Sequence, residues 1–202
     1  EGTFTGRGDV AISAVRRLLR VVRGLTETLD AAAALDPAYP IVVSAGGSMY
    51  PDLVCAELTR PWSRPVQVVL RSGCYLTHDH QLYADSAPPQ PSLIPALRVW
   101  SRVLSVPDPG WAILDVGKRD LTVDPPARVL NVHRNGSTRP VALHIDHHND
   151  QHGYVAFGEE DLRVGDICEL GISHPCLTFD RWTHIPLIDD DRTIVGIIRT
   201  CF

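Results

Sequence analysis

Apolar residues fall at Val15, Leu18, Leu19, Val22, Leu25 and Leu29, the spacing that lines one face of an α-helix. The pattern predicts a long amphipathic helix from Asp9, read as its cap, to about Leu35, with Pro37 and Pro40 ending it. Short apolar runs at Ile41 to Val43 and Val66 to Leu70 read as strands on either side of a helix at Tyr50 to Leu58. This is the βα rhythm of a parallel sheet or barrel, with too few elements to close an eight-stranded barrel. Beyond the proline-rich residues 87–91 the grammar changes. Leu93 to Val106, Trp111 to Val116, Ala127 to Val132, Gly153 to Ala156, Asp166 to Leu170 and Ile194 to Thr200 read as strands separated by Asp, Pro and Gly turns. The expected fold class is α/β plus β: a partial TIM-barrel-like βα segment over 1–86, then an antiparallel β domain over 87–202, barrel-like or sandwich-like.

Composition narrows the function classes. A net charge of -5 over 202 residues argues against a nucleic-acid surface, and Arg16, Arg17, Arg20 and Arg23 read as one solvated or interface face of the first helix. No apolar run reaches the roughly 20 residues that span a membrane. Five cysteines at irregular spacing do not make a disulfide framework, and Cys55, Cys168 and Cys201 read as reduced core residues of a cytoplasmic protein. The opening Glu1-Gly2-Thr3-Phe4-Thr5-Gly6-Arg7-Gly8 lacks an initiator methionine, a basic start and an apolar signal core, and reads as a loop following an earlier strand.

Three stretches carry candidate chemistry. In Leu170-Gly171-Ile172-Ser173-His174-Pro175-Cys176, residues i and i+2 of an extended segment point the same way, so His174 and Cys176 can converge on one ion. Two protein ligands leave such a site open. The plainer alternative is a surface histidine beside a buried thiol. Gly46-Gly47-Ser48, between a strand and a helix start, has the composition of an anion-binding turn. Arg71-Ser72-Gly73-Cys74-Tyr75 follows the second strand directly, and Tyr75 reads equally well as a packed aromatic. His78 and His80, flanking Asp79, are expected in an exposed turn.

Together these strings, with Phe179-Asp180-Arg181-Trp182, Ile185 to Asp191 and the ending Ile197 to Phe202, resemble the D-serine dehydratase and D-threonine aldolase family from about Ile41 onward. The resemblance implies pyridoxal phosphate (PLP) on an alanine-racemase-like barrel, with residues 1–86 a remnant of it and 87–202 a serine dehydratase-like domain. It implies phosphate contacts at Gly46, Gly47, Ser48, Gly73, Cys74 and Tyr75, and a divalent metal at His174 and Cys176, zinc before manganese or magnesium. It also implies a homodimer, a small D-amino acid as substrate, and lyase chemistry of the dehydration-deamination type, with aldol cleavage or racemisation as alternatives. The polar run Asp146 to Gly153 is similar to the family's acidic-histidine-glycine loop, with Gln151 where glutamate is usual. The family's cofactor lysine lies in a region outside this sequence. Lys118, the only lysine, falls in a different family segment. The expectation is therefore a C-terminal portion of a larger enzyme, inactive in isolation and prone to self-associate through exposed strand edges.

Overall fold

The computed structural model describes residues 7–85 and 93–201, which form two compact units, 7–76 and 77–85 with 93–201. Thr3, Thr5 and the proline-rich boundary at 87–91 lie outside the described residues. Residues 77–85, which the sequence puts before that boundary, belong with the second unit.

In the first unit, helix α1 (Asp9–Ala31) packs with strand β1 (Ile41–Ala45), helix α2 (Pro51–Leu58) and strand β2 (Val66–Leu70). β1 and β2 pair in parallel, Ile41 opposite Val66 and Ala45 opposite Leu70, across the α2 connection. Alternation in β1 turns Ile41 and Val43 onto Val15, Leu19, Tyr50, Leu53, Val54 and Leu58, while Val42 faces outward. The first helix departs from the sequence reading in three ways. Gly8 occupies the N-cap and Asp9 sits in the first turn, where its charge meets the positive helix end. The helix stops at Ala31, and Ala33 takes a left-handed φ of 52° before either proline is reached. Leu18, Leu25 and Leu29 stay exposed, and only Val15 and Leu19 of the apolar stripe are buried. The arginine face is half interface: Arg20 pairs with Glu57, and Arg23 stacks on Trp62 at 4.2 Å.

In the second unit, seven strands lie in the order β6-β5-β9-β3-β4-β8-β7, all antiparallel: β3 (Arg98–Asp108), β4 (Trp111–Leu114), β5 (Arg128–Arg134), β6 (Ser137–His144), β7 (His147–His148), β8 (Gly153–Ala156) and β9 (Ile167–Gly171). A separate hairpin joins β10 (His184–Ile188) to β11 (Ile194–Arg199). Val103, Leu114, Leu121, Val129, Ile145 and Leu170 form the core of this unit. The expected fold class, a parallel βα segment followed by an antiparallel β domain, is what the chain adopts. Cys168 sits in the core as expected, its thiol pushed up to about 12 by burial. Cys55 and Cys201 are exposed, contrary to the sequence reading, because the former faces out from α2 and the latter follows the last strand. The polar run Asp146 to Gly153 lies in the β7–β8 hairpin, with His147 stacked on Tyr154 at 4.0 Å.

Two histidines of this unit carry buried ring nitrogens without a partner among the described residues, Nδ1 and Nε2 of His80 and Nε2 of His148. Burial, with Arg98 adding to it, lowers the His80 pKa to about 4. Burial, with His147 and Lys118 adding, does the same to His148. The unfolded chain protonates both near 6.5 while the folded chain holds them neutral to about 4, so stability falls as the pH drops through that window. After allowance for solvent screening, the pair is expected to remove about 2 kcal/mol between pH 7 and pH 4.5. Urea midpoints across that range check this, and the dependence is expected to shrink in His148→Gln.

Candidate functional site

The first set of candidate residues lies where β1 and β2 end side by side. Parallel pairing brings the two following loops together, and three hydrogen bonds staple them: Arg71 N–H to Ala45 O at 3.0 Å, Ser72 Oγ–H to Gly47 O at 2.7 Å and Cys74 N–H to Ser48 Oγ at 3.1 Å. Gly46 has a φ of 125°, and an added Cβ would stand 3.0 Å from Leu70 Cδ1 and 3.1 Å from Ser72 Oγ, so the first loop needs glycine to lie this close to the second. Around Gly73 an added Cβ would meet no heavy atom within 4 Å, which leaves open space beside that backbone. The Cys74 N–H, expected to face a phosphate, is turned onto Ser48 Oγ. A hydroxyl that accepts this bond keeps its own proton to donate, so Ser48 is the group that can pass the contact on to an anion. Cys74 is buried, and Tyr75, in the short 3-10 turn Gly73–Leu76, is 42% exposed. The donor set fits a phosphate: a serine hydroxyl, glycine backbones and the first turn of α2 beside them.

The second set lies in the other unit, on the turn that leaves β9. Here the premise of an extended segment fails. His174 takes a left-handed φ of 56°, and Cys176 lies in a 3-10 turn, Pro175–Leu177, that runs into α3 (Thr178–Arg181). The residue before a proline is disfavoured in the right-handed helical region, and Pro175 sets the first φ of the turn. His174 is half-buried and Cys176 exposed, which also reverses the plainer alternative of an exposed histidine and a buried thiol. Tyr83 meets the His174 ring edge-on at 6.1 Å. Ser173 Oγ and Thr178 Oγ1, on either side of the turn, are buried without a hydrogen-bond partner among the described residues. Imidazole and thiol on one short turn match a borderline-soft divalent ion in ligand type. No cluster of three or more His, Cys, Asp or Glu that could hold a metal occurs among the described residues.

The sequence reading misses the support under this turn. Asp79 and His78 are 1% and 4% exposed, not part of an exposed turn. His80 N–H donates to Ile172 O at 2.9 Å, His174 N–H donates to Asp79 Oδ2 at 2.8 Å, and a Cβ on Gly171 would collide with the His80 ring at 2.6 Å. The signal was present in the His78-Asp79-His80 string, but its partner lies 95 residues further along the chain. Lys118 is exposed in the second unit, its N–H bonded to Asn149 O at 3.0 Å.

Comparison with known proteins gives a consistent fold. Residues 96–188 match the model of the putative serine dehydratase domain. A cysteine-to-alanine mutant of D-threo-3-hydroxyaspartate dehydratase in the metal-free form superposes with a TM-score of 0.67 at 20% identity, over 96% of this chain and 52% of that one. D-threonine aldolase from Filomicrobium marinum gives 0.55 at 22% identity, over 77% and 40%. An alanine racemase-like protein from Idiomarina loihiensis gives 0.61 at 14% identity, over 95% and 52%. The chain thus spans about half the length of the solved structures it matches. Among curated proteins none matches by sequence. Residues 96–188, which carry His174 and Cys176, thus match the putative serine dehydratase domain, on a chain that shares the fold of these solved structures.

Proposed function

We propose that this chain is part of a PLP- and metal-dependent lyase that acts on D-β-hydroxy amino acids by dehydration and deamination. The observation that carries the reading is the His174–Cys176 pair on one turn inside the segment that matches the serine dehydratase domain. A dehydratase solved in a metal-free form and a D-threonine aldolase are both neighbours in fold, and the thiol at Cys176 is the reason for putting dehydration before aldol cleavage. When bound, PLP supplies an electron sink and the metal a Lewis acid for the substrate's β-hydroxyl. Ser48 and the backbones of Gly46, Gly47 and Gly73 would hold the phosphate, with the Cys74 N–H fixing Ser48 Oγ and Tyr75 next to it in the chain. His174 and Cys176 hold the ion and leave positions for water and substrate. A cytoplasmic homodimer is the assembly expected for the whole enzyme.

With Lys118 exposed as the only lysine, the isolated 202 residues are expected to bind metal without turnover. The test is the zinc content of the purified chain after dialysis under reducing conditions, with a titration of PLP followed by absorbance. Near-stoichiometric zinc in the wild type, lost in His174→Ala and in Cys176→Ala, is the expected result. A chain that retains no zinc, or retains it equally in both variants, removes the metal-dependent reading. In a longer chain carrying the cofactor lysine, a keto acid with ammonia marks the dehydratase, and an aldehyde with glycine marks the aldolase.

A further inference from the structure

Asp79 is a buried charged group of the second unit. Its carboxylate is 1% exposed, and the partners that hold it are backbone N–H groups. Oδ1 accepts from Gln81 at 3.1 Å, Tyr83 at 2.9 Å and Ala84 at 3.2 Å, which winds residues 81–84 around one oxygen. Oδ2 accepts from His174 at 2.8 Å. A single side chain therefore fixes the backbone of the His174–Cys176 turn and the backbone of Tyr83, whose ring stands edge-on to the His174 imidazole. His174 occupies a left-handed backbone conformation that a β-carbon disfavours, so something must hold it there. The bond from Asp79 is made to that residue's own N–H, and the neighbouring bond from His80 N–H to Ile172 O ties the approach to the turn at a second point.

We propose that Asp79 is a positioning residue, which sets His174 and Cys176 in their ion-binding arrangement before any ion arrives. It touches neither metal nor substrate. The inference rests on the metal reading above and adds to it where the affinity comes from: a carboxylate reached through the His174 backbone instead of through its ring. Because all four partners are donors, Asp79→Asn is a selective probe. The amide oxygen can replace Oδ1 and keep the 81–84 turn, but the amide nitrogen then faces the His174 N–H, donor against donor.

The experiment measures zinc affinity of the full chain by competition with a chromogenic chelator, for wild type, Asp79→Asn and His174→Ala, with cobalt absorption spectra of each. Asp79→Asn is expected to fold, by circular dichroism, and to bind zinc about 10- to 100-fold more weakly, with a shifted cobalt spectrum. Wild-type affinity and spectrum in Asp79→Asn, with His174→Ala unable to bind, overturns the positioning role and leaves the metal reading standing. Unchanged binding in His174→Ala removes the metal reading and this inference with it. Should Asp79→Asn fail to fold, amide exchange in the wild type decides. The His174 N–H is expected to be protected about 100-fold or more before zinc is added, and protection that develops only with zinc overturns the proposal.

Discussion

Gly117→Ala is expected to destabilise the second unit by about 3–5 kcal/mol, the sum of overpacking against backbone and the hydrogen bonds lost in relieving it. An added Cβ would stand 2.5 Å from Asn149 O and 2.5 Å from both C and O of Asp150. These are main-chain atoms of the β7–β8 turn and cannot rotate aside. Nor can the turn retreat at little cost, since Lys118 N–H and Arg119 N–H donate to those same carbonyls at 3.0 and 3.1 Å. On the other side, Gly117 N–H is held by Asp120 Oδ2 at 2.8 Å. The melting temperature is expected to fall by about 10–20 °C for a domain of this size. Gly158→Ala, where an added Cβ meets nothing within 4 Å, is the matched control and is expected to melt like the wild type. Equal melting of the two variants would mean that the Gly117 contact is not tight in solution.

This contact shows why part of the molecule was legible in sequence and part was not. Apolar runs located β1, α2, β2, β3, β4, β5, β8, β9 and β11 to within a few residues, because apolar side chains cluster in each of these elements between polar, Gly or Pro turns. β6 and β10 escaped because Pro140 and Pro186 interrupt them. Both prolines are tolerated, since β6 is an edge of the sheet and β10 belongs to a two-stranded hairpin with open sides. The dipeptide Asn135-Gly136 was a missed signal. With φ values of 50° and 79° it makes a two-residue hairpin turn, Arg134 opposite Ser137, which would have announced β6 at once.

Of the candidate site, sequence spacing named residues but not their conformations. Adjacent parallel strands delivered the 46–48 and 72–74 loops to one place, as a strand, turn and helix pattern requires. An extended His174–Cys176 segment is the wrong expectation because a left-handed residue before proline has no compositional marker when it is not glycine. Burial of Asp79 was equally invisible. It depends on a partner backbone far along the chain, and a charged residue between two histidines resembles a solvated turn until that partner is known.

Arg134→Met is expected to cost about 3–5 kcal/mol at pH 7, the usual consequence of leaving a buried charge without its partner. The Asp166 carboxylate, whose side chain is 2% exposed, accepts from Arg134 Nε and Nη2 at 2.7 Å each and from Arg163 N–H at 2.8 Å. Burial pushes its pKa up, but the Arg134 fork and the Arg163 N–H outweigh burial and hold it below the ordinary carboxylate value. Arg134 also binds the side chain and carbonyl of Asp161, so it ties the end of β5 to the loop before β9. Without the guanidinium, burial dominates and the folded-state pKa of Asp166 rises above its unfolded value. The sign of the pH dependence then reverses at this site. In the wild type, the contribution of Asp166 is present above the unfolded pKa and is lost as the pH falls; in the variant, acid relieves a penalty. The difference between the two proteins is therefore expected to shrink from pH 7 toward pH 4, and Arg134→Met with Asp166→Asn is expected to recover part of the loss at pH 7. Denaturation midpoints of the three proteins at both pH values test this. A loss below about 1 kcal/mol at pH 7, or one that does not change with pH, would show that Arg134 acts as a surface ion pair and not as the counter-charge of a buried carboxylate.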